Sequence, residues 1–395
     1  MQQAIQLAAR GLYSASPNPR VGCLLVKSEQ VIGRGWHRQA GLEHAEIEAL
    51  NNCSQDPRDA TAYVTLEPCS HQGKTPPCAD ALIKAGVSRV VVGSVDPNPL
   101  VSGSGIQKLS DAGIEVQFGC ESADCDNLNP GFLSRMRHHR PWVRVKLACS
   151  LDARTALANG QSQWITGEAA RADVQHWRAR ADAILTGIGT VLQDNPRLTV
   201  RMPIEDYKRY GYGAPVQPLL AVADSTLRTP ENALLFDADR SVVIYTKNNP
   251  LAYDASCEIV VDQTVAGQAV AGRAVADQAV VNECSETGID PAFLLSDLGS
   301  KEINEVHVEA GAALCASLIN AQLVDELLLY IAPHLLGSDA RSLFSLGGIS
   351  CMQDRVEFEF VDVAQVGTDL RLRLRPATDS GHGAGSGSDQ HASAP

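Results

Sequence analysis

The chain has 395 residues, of which 44% are hydrophobic and 20% are charged, so we expect a soluble protein of two globular domains. Its net charge of −13 argues against a nucleic-acid or membrane partner, since such surfaces need basic patches. We expect neither a targeting segment nor a membrane span, and hence a cytoplasmic protein. Eleven cysteines in so long a chain favour thiols and a metal site over a disulfide framework.

Helices and strands alternate over residues 1–119, which favours an α/β sandwich as the first domain. The predicted helices of this domain cover residues 2–12, 44–50, 79–85 and 105–112. The predicted strands cover residues 21–26, 30–35, 62–66, 89–93 and 115–118.

A connector at 120–141, with a short basic helix around 132–139, leads into a second α/β domain at 142–376. Its predicted strands cover 142–148, 183–186, 219–223, 241–246, 305–309, 326–331 and 370–374, and a helix covers 168–181. Leucine and arginine alternate over 370–374, as in an edge strand. A low-complexity insertion at about 262–286 is predicted to be a surface loop, and the Gly-, Ser- and His-rich tail at 377–395 to be disordered.

The strongest local pattern is His44-Ala45-Glu46 followed by Cys69 and Cys78. A catalytic zinc site uses three nitrogen or sulfur ligands and keeps the fourth position for water. His44, Cys69 and Cys78 supply that set, and Glu46 can lie beside the water without being a ligand. Zinc lowers the pKa of its water to about 7, and a carboxylate can carry the proton to a leaving amine. The pattern predicts a deaminase of the H-x-E, P-C-x-x-C type.

The cysteine spacing departs from that signature, because eight residues separate Cys69 from Cys78 instead of two. A structural zinc site, or no metal at all, is the alternative, since buried cysteine often serves only as a small hydrophobic side chain. The order of the pieces favours the catalytic site: HAE begins a helix, a strand ends in TLEPC, and the second cysteine opens a helix.

The segments PCSHQGKTPPCADALIKAG and DPNPLVSGSGIQKLSDAGIEV resemble the deaminase half of the bifunctional riboflavin-biosynthesis deaminase-reductases. The resemblance implies a cytidine-deaminase-like three-layer sandwich. It also implies a 2,5-diamino-pyrimidinone substrate that carries a phosphoribosylamino group and loses its C2 amine.

Four residues are expected to bind that substrate, namely Asn18, Lys74, Asp96 and Asn98. Asn18 would bond to the pyrimidine, and Lys74 would meet the phosphate as a point charge. For Asp96 and Asn98 a plain turn is an equal alternative, because Asp-Pro-Asn-Pro consists of turn-forming residues. A single histidine near a strand end is usually structural, so His37 is a weaker candidate.

The second domain lacks the G-x-G-x-x-G fingerprint, and its pattern alone indicates only an α/β unit with glycine-rich turns. Three of its segments resemble the reductase half of the same family: VKLACSLDARTA, SQWITGEAARADVQHWRARADAILTGIGTVLQDNPRLTVR and VEAGAALCASLINAQLVDELLLYIAPHLLG. The resemblance implies a dihydrofolate-reductase-like fold and NADPH-dependent reduction of the ribosyl group to ribityl.

The resemblance also implies residue roles. Substrate contacts fall on Ser162, Arg178, Leu198, Arg201 and Glu309. Cofactor contacts fall on Ala148, Trp164, Thr190, Asp194, Ser225, Gly311, Ala312, Ala313, Leu314, Cys315, Ala316 and Ser317. Arginines would clamp the phosphate, and a helix start built of small residues would favour the pyrophosphate. The pattern alone favours a solvated helix face for Arg178, a surface charge for Arg201 and tight packing at the Gly-Ala segment.

Asp194 is the candidate acid of the reduction, because an acid near ribose C1′ would assist ring opening and protonate the sugar oxygen or nitrogen. A turn cap before Asn195 is the alternative role. The family usually has glycine where this chain has Ala153. If that position has a positive φ, alanine costs about 1 kcal/mol.

We therefore expect a bifunctional enzyme with Zn²⁺ and NADPH, acting on a small phosphoribosyl pyrimidine. We also expect a homo-oligomer, supported by the apolar helix at 313–323. Two alternatives stay open: a zinc deaminase of nucleic-acid bases or nucleosides with an unrelated second domain, and a non-catalytic zinc fold with a nucleotide-sensing module. The acidic charge counts against the first, and Glu46 against the second.

Overall fold

The computed structural model describes residues 1–70, 76–98, 101–209, 216–248, 253, 255–264 and 288–377. Lys74, residues 265–286 of the predicted insertion and residues 378–395 of the predicted tail lie outside these ranges, so the expectations for them stay predictions. Within the described ranges, no helix is long and apolar enough to cross a membrane.

The N-terminal part of the chain forms one sheet with helices on both faces. Its strands are β1 (Gly22–Lys27), β2 (Gln30–Trp36), β3 (Thr61–Leu66), β4 (Arg89–Ser94) and β5 (Glu115–Gln117). Its helices are α1 (Gln2–Ala8), α2 (Ala45–Asn51), α3 (Cys78–Lys84) and α4 (Ser104–Asp111), and a 3-10 turn, Ala9–Gly11, follows α1. The strand order is β2-β1-β3-β4-β5, in which β1 is antiparallel to β2 and β3, and the other pairs are parallel.

Small residues decide how closely the helices approach this sheet. A Cβ on Gly22 would lie 2.0 Å from the carbonyl oxygen of Ala4, so α1 lies directly on one face of β1. The next residue, Cys23, points to the opposite face and packs with Ala45 and Leu82 in the core shared by α2, α3 and α4. The predicted three-layer sandwich is thereby confirmed, with predicted elements that match the observed ones to within a few residues.

Two short helices, α5 (Ser122–Leu128) and α6 (Pro130–His138), join the two sheets, where the sequence predicted one basic helix. A Cβ on Gly93 would lie 2.3 Å from Cys125 Sγ, so α5 packs against the first sheet. A Cβ on Gly131 would lie 2.5 Å from the carbonyl oxygen of Asn304, so α6 packs against the second. The joining segment is therefore held on both sides.

The C-terminal part of the chain forms a larger sheet. The strands of this sheet are β6 (Trp142–Ser150), β8 (Ala183–Gly187), β9 (Leu219–Ala223), β10 (Val242–Thr246), β11 (Glu258–Val261), β12 (Glu305–Val308), β13 (Glu326–Ala332), β15 (Phe358–Val366) and β16 (Asp369–Pro376). Two short strands, β7 (Arg154–Ala156) and β14 (Arg341–Ser342), form a separate antiparallel pair. The helices of the C-terminal part are α7 (Glu168–Arg180), α8 (Ile188–Asp194), α9 (Ile204–Arg209), α10 (Pro291–Ser300) and α11 (Ala312–Asn320), with 3-10 turns at Leu234–Phe236 and Met352–Asp354.

The order of this sheet is β11-β10-β9-β8-β12-β6-β13-β16-β15. The strands from β11 to β13 are parallel, and β16 and β15 add an antiparallel end. The prediction of an edge strand at 370–374 is wrong, because β15 takes the edge and β16 lies inside it. The alternating arginines have another cause: Arg373 Nε donates to Glu326 Oε1 at 2.7 Å, and Arg371 Nη1 donates to Asp173 Oδ2 at 3.1 Å.

The helix at 313–323 does not offer its apolar face to a second copy, so the reason given for a homo-oligomer is wrong. Cys315, Leu318 and Ile319 of α11 are buried in the core of their own sheet, together with α10. Large exposed apolar side chains lie on the edge strand β15 instead, where Phe360 is 67% exposed.

Candidate active sites

The end of β3 and the starts of two helices bring three ligand atoms together. His44 is the N-cap of α2, Cys78 is the first residue of α3, and Cys69 follows the end of β3 by three residues. His44 Nδ1 lies 3.7 Å from Cys69 Sγ and 3.3 Å from Cys78 Sγ, and all three atoms lie within 4.8 Å of one another. Tetrahedral zinc ligands of this type stand roughly 3.5–3.8 Å apart. The three residues therefore fit a zinc ion despite the wide cysteine spacing.

Glu46 lies beside this cluster in the first turn of α2 and is 3% exposed. Burial, and after it the charge of Cys69, raises the pKa of Glu46 to about 7. A carboxyl group in this place can exchange protons with a molecule bound at the cluster.

Asn18 and His37 form the neighbouring wall of this site. Asn18 Nδ2 donates to His37 Nε2 at 3.1 Å, while His37 Nδ1 donates to the carbonyl oxygen of Glu43 at 3.0 Å. The His37 ring stands edge-on to the His44 ring, with 5.4 Å between centroids and an interplanar angle of 84°. His37, which the sequence ranked as structural, therefore connects Asn18 to a ligand residue.

Asp96 and Asn98 follow β4 and form a turn. Asp96 is buried, and its Oδ1 accepts from the Asn98 amide at 2.8 Å, which is the turn geometry given as the alternative. The loop after it is held by Glu67, a residue that the sequence did not single out. The Glu67 carboxylate accepts four backbone N–H bonds of 2.9–3.2 Å, from Asp96, Gly103, Gly105 and Ile106.

A second polar cluster lies at the carboxyl end of β12, in the C-terminal sheet. Arg178 of α7 forms a two-pronged ion pair with Glu309, in which Nη2 donates to Oε2 at 3.0 Å and Nε donates to Oε1. Its Nη1 donates to the Thr199 carbonyl oxygen at 2.8 Å. The alternative of a solvated helix face, which the pattern alone favoured for Arg178, is therefore wrong, because the side chain is buried and paired with Glu309 after β12.

Lys146 of β6 approaches the same carboxylate, with Nζ 3.9 Å from Glu309 Oε2. Burial acts to raise the pKa of Glu309, but Arg178 and Lys146 outweigh it and hold that pKa well below its usual range. Burial lowers the pKa of Lys146. Lys146 and Arg144 are charged residues within the largely apolar strand sequence WVRVKLACS, and this pattern could have indicated a buried polar cluster from the sequence.

Further arginines face this cluster. Burial, and after it the charge of Arg178, lowers the pKa of Arg201, and the same two causes lower the pKa of Arg240 to about 10. Arg240 Nη1 donates to the carbonyl oxygen of Leu198 at 2.7 Å, and Leu198 has a φ of 48°. The positive charge of Arg178 acts on both arginines, and a group of arginines in an otherwise acidic protein suits an anionic substrate group.

Among the expected cofactor residues, Thr190 follows the carboxyl end of β8 and residues 311–317 follow that of β12, and these two strands are neighbours in the sheet. Gly311 is the N-cap of α11, and a Cβ there would meet nothing within 4 Å, so the helix start is open. Leu314 lies 3.5 Å from the Cβ position of Gly187, which caps α8, the helix that carries Thr190. Open helix starts at the carboxyl edge of parallel strands fit the pyrophosphate of a dinucleotide.

The remaining predicted residues lie at separate places in this domain. Ala148 lies in β6, Ser225 follows β9, and both are half-buried. Ser162 and Trp164 precede α7, and Trp164 is 69% exposed, with the Arg171 guanidinium 4.4 Å from its ring centroid. Asp194 is the last residue of α8, and burial raises its pKa although Arg341 counteracts it.

Two family models match this chain. The model described as the cytidine and deoxycytidylate deaminase zinc-binding region matches residues 1–94, and the model described as the RibD C-terminal domain matches residues 141–372. The first contains all three ligand residues and Glu46, and the second contains the Arg178–Glu309 cluster.

Whole-length relatives agree with both matches. The riboflavin biosynthesis protein RibD of Escherichia coli is 42% identical over 95% of this chain and 98% of its own length. RibD of Bacillus amyloliquefaciens is 40% identical over 95% of each chain. The chain belongs to the RibD family.

Solved structures agree in fold. RibD of Acinetobacter baumannii superposes with a TM-score of 0.82 at 42% identity, covering 95% of this chain and 98% of that one. A Thermotoga maritima protein described as a diaminohydroxyphosphoribosylaminopyrimidine deaminase/5-amino-6-(5-phosphoribosylamino)uracil reductase superposes at 0.81, with 30% identity over 95% and 97% of the two chains. This RibD-family protein is thus a bifunctional enzyme of riboflavin biosynthesis, with a zinc-dependent deaminase and an NADPH-dependent reductase.

Proposed function

We propose that this enzyme deaminates 2,5-diamino-6-(5-phosphoribosylamino)pyrimidin-4-one and then reduces the ribosyl group of the product to ribityl. The observation that carries the proposal is the pairing of a His44–Cys69–Cys78 cluster beside buried Glu46 with an arginine-rich cluster at Glu309 in the same chain. We propose domain bounds of 1–119 and 142–376, joined by residues 120–141.

In the deamination, His44, Cys69 and Cys78 would hold zinc, which when bound supplies a Lewis acid that activates water. Glu46 would take a proton from the attacking water and pass it to the C2 amine, which leaves as ammonia. Its burial supports this role, because a desolvated carboxylate holds a proton more readily than one in water. Asn18 would bind the pyrimidine from the opposite wall.

Three further residues are proposed to contact the same substrate. Lys74 would meet its phosphate, and Asp96 and Asn98 its ring or sugar.

In the reduction, NADPH supplies a hydride to ribose C1′ when bound. Its pyrophosphate would lie at the start of α11, over residues 311–317, with the other cofactor contacts from Ala148, Trp164, Thr190, Asp194 and Ser225. Arg178 and Arg201 would bind the substrate phosphate together with Ser162 and the backbone at Leu198, and Glu309 would orient the sugar. The group of arginines around Arg201 supports this assignment.

Asp194 is proposed to protonate the opened sugar. Its raised pKa supports an acid, and its place at the carboxyl end of a helix disfavours the charged form further.

We further propose a cytoplasmic homo-oligomer without nucleic-acid or membrane partners. Two neighbouring thiols suit the reducing cytoplasm, where such pairs are kept from oxidation. A second copy would cover the exposed apolar residues of β15, including Phe360 and Val363.

The test is a two-step assay on the zinc-loaded enzyme with the diaminopyrimidinone ribosyl phosphate. We expect ammonia release without NADPH, and NADPH oxidation in equal amount once the cofactor is added. Glu46→Gln should keep zinc and lose ammonia release by about 10²–10⁴-fold, while the deaminated substrate is still reduced. Glu48→Gln, in the same helix turn but bonded to the Trp36 amide, is the matched control and should still deaminate. Ammonia release that survives Glu46→Gln would reject the proposed proton carrier.

A further inference from the structure

The loop that carries Asn18 is held by residues of the C-terminal domain. Asn304 immediately precedes β12, and its Nδ2 donates to the Pro17 carbonyl oxygen at 2.9 Å and to Ser16 Oγ at 3.3 Å. Arg135 of α6 donates to Asn304 Oδ1 at 2.7 Å and to the same Pro17 carbonyl oxygen at 3.2 Å. Both polar atoms of the buried Asn304 side chain thus form hydrogen bonds, Nδ2 with this loop and Oδ1 with Arg135 of α6.

The backbone at Asn304 is itself held in place by Asp182. Asp182 Oδ2 accepts from the amides of Asn304 and Glu305 at 2.8 and 3.0 Å, so the backbone before β12 cannot easily shift. The loop is held again three residues after Pro17, where Arg20 Nη1 donates to Glu305 Oε1 at 2.9 Å in a buried ion pair. Both attachments of the loop therefore lie on consecutive residues, Asn304 and Glu305, at the start of β12 in the reductase domain.

Between these two attachments the loop presents Asn18. The Asn18 amide donates to the Ala15 carbonyl oxygen at 3.0 Å, which closes a turn. Its side chain bonds to His37, and the His37 ring meets the ring of the zinc ligand His44. A continuous set of contacts thus runs from Asn304 through Pro17 and Asn18 to the deaminase site.

We propose that Asn304, a residue of the reductase domain, is a positioning residue for deamination because it sets the place of Asn18 beside the zinc ligands. The inference rests on the proposed role of Asn18 in binding the pyrimidine. It means that the deaminase site of this chain is completed by the other domain. Loss of the Asn304 contact should weaken substrate binding and leave the reductase site, at the opposite end of β12, unaffected.

The test uses the full-length, zinc-loaded enzyme and a double-mutant cycle of Asn304→Ala and Asn18→Ala. We expect each single variant to raise the KM for ammonia release about tenfold with a smaller change in kcat. The double variant should be no worse than Asn18→Ala alone, because both act through one contact. NADPH-dependent reduction of the deaminated substrate should stay unchanged in all three.

Two further variants test whether a change in KM reflects a general loss of folding. Asn304→Asp keeps the size and the acceptor for Arg135 but removes the donor to Pro17, so it should raise KM as well. Arg375→Ala removes a contact of β16 with Asn127 that does not involve the loop, and it should change neither activity.

If Asn18→Ala impairs deamination while Asn304→Ala does not, or if the two effects add, the inference fails and the proposed function stands. An equal fall of both activities in Asn304→Ala also overturns the inference, since it indicates structural damage. If Asn18→Ala itself has no effect, the proposed role of Asn18 is wrong and the inference falls with it.

Discussion

Ala153 lies in the turn between β6 and β7 with a φ of 56°, in the left-handed region that favours glycine. Its carbonyl oxygen accepts from the Leu343 amide at 3.1 Å, and its own amide donates to the Ser150 carbonyl oxygen at 3.0 Å. The tertiary structure therefore holds an alanine in a strained conformation. The positive φ on which a cost of alanine at this position depends is therefore present.

Ala153→Gly should stabilise the protein by about 0.5–1 kcal/mol, because relief of about 1–2 kcal/mol of strain exceeds the entropic cost of glycine. Thermal unfolding of the two proteins measures the difference. Ala172→Gly, at an exposed position inside α7, is the matched control and should destabilise by about 1 kcal/mol. A lower melting temperature for Ala153→Gly would show that the turn is not strained.

At the scale of elements, a single carboxylate organises the loop between β4 and α4. Glu67 stands at the end of β3 and accepts amides from both ends of that loop, including Asp96 and Gly105. A Cβ on Gly105 would lie 2.0 Å from the carbonyl oxygen of Pro68, so the start of α4 packs tightly against the segment that leads to Cys69. The carboxylate thus connects the loop to the ligand segment.

Glu67→Gln should destabilise the enzyme by about 1–3 kcal/mol and raise the KM for deamination. The glutamine NH₂ group would face backbone donors, which leaves buried amides unpaired. Unfolding curves and ammonia-release kinetics measure the two effects. Glu115→Gln, an exposed residue of β5, is the matched control and should change stability by less than about 0.5 kcal/mol. Equal behaviour of the two variants would contradict the role given to Glu67.

At the scale of the whole molecule, a buried network of ion pairs lies on strands β6, β12 and β13 of the second sheet and includes Arg20 of the N-terminal part. Glu305 accepts from Arg20, Arg144 and Arg180, and Glu326 from Arg144 and Arg373. Burial acts to raise the pKa of Glu326, but Arg144 and then Arg373 outweigh it and lower that pKa to about 2. The same balance, with Arg180 the strongest partner, holds the pKa of Glu305 well below its usual range.

These depressed pKa values predict acid sensitivity. The stabilising effect of Glu326 is complete above its unfolded pKa of about 4.3 and is lost as the pH falls toward about 2. Glu326→Gln should cost about 3 kcal/mol at pH 7, and the difference from the parent protein should shrink between pH 5 and pH 3. Unfolding curves across that range measure it. A difference that stays constant with pH would show that Glu326 is not charged in the folded protein.

Zinc removal should separate the two activities. All three residues of the proposed zinc site belong to the N-terminal domain, and the buried cores of the two sheets share no residue. Chelation should therefore abolish ammonia release and leave NADPH-dependent reduction of the deaminated substrate intact, with recovery when zinc is restored. If NADPH-dependent reduction falls in proportion to the zinc removed, the prediction that the two activities are independent is wrong.

Much of the fold and of the deaminase site could be predicted from the sequence, because local patterns carry them. Strands and helices of the first domain follow from periodicity and turn residues, and His44, Glu46, Cys69 and Cys78 follow from their order relative to those elements. The substrate and cofactor residues of the second domain depended on family resemblance, since no local fingerprint marks them.

The sequence by itself thus predicted the chemistry of the deaminase site: His44, Cys69 and Cys78 as candidate metal ligands, the Glu46 carboxylate beside them, and the elements that carry these residues. Only the tertiary structure decided that Arg178 is buried against Glu309, that β16 is an inner strand, and that Asn304 holds the Asn18 loop. The physical reason is that these outcomes depend on which distant strands become neighbours. Asn304 and Pro17 lie 287 residues apart in the chain, and periodicity reports only on neighbours within a few residues.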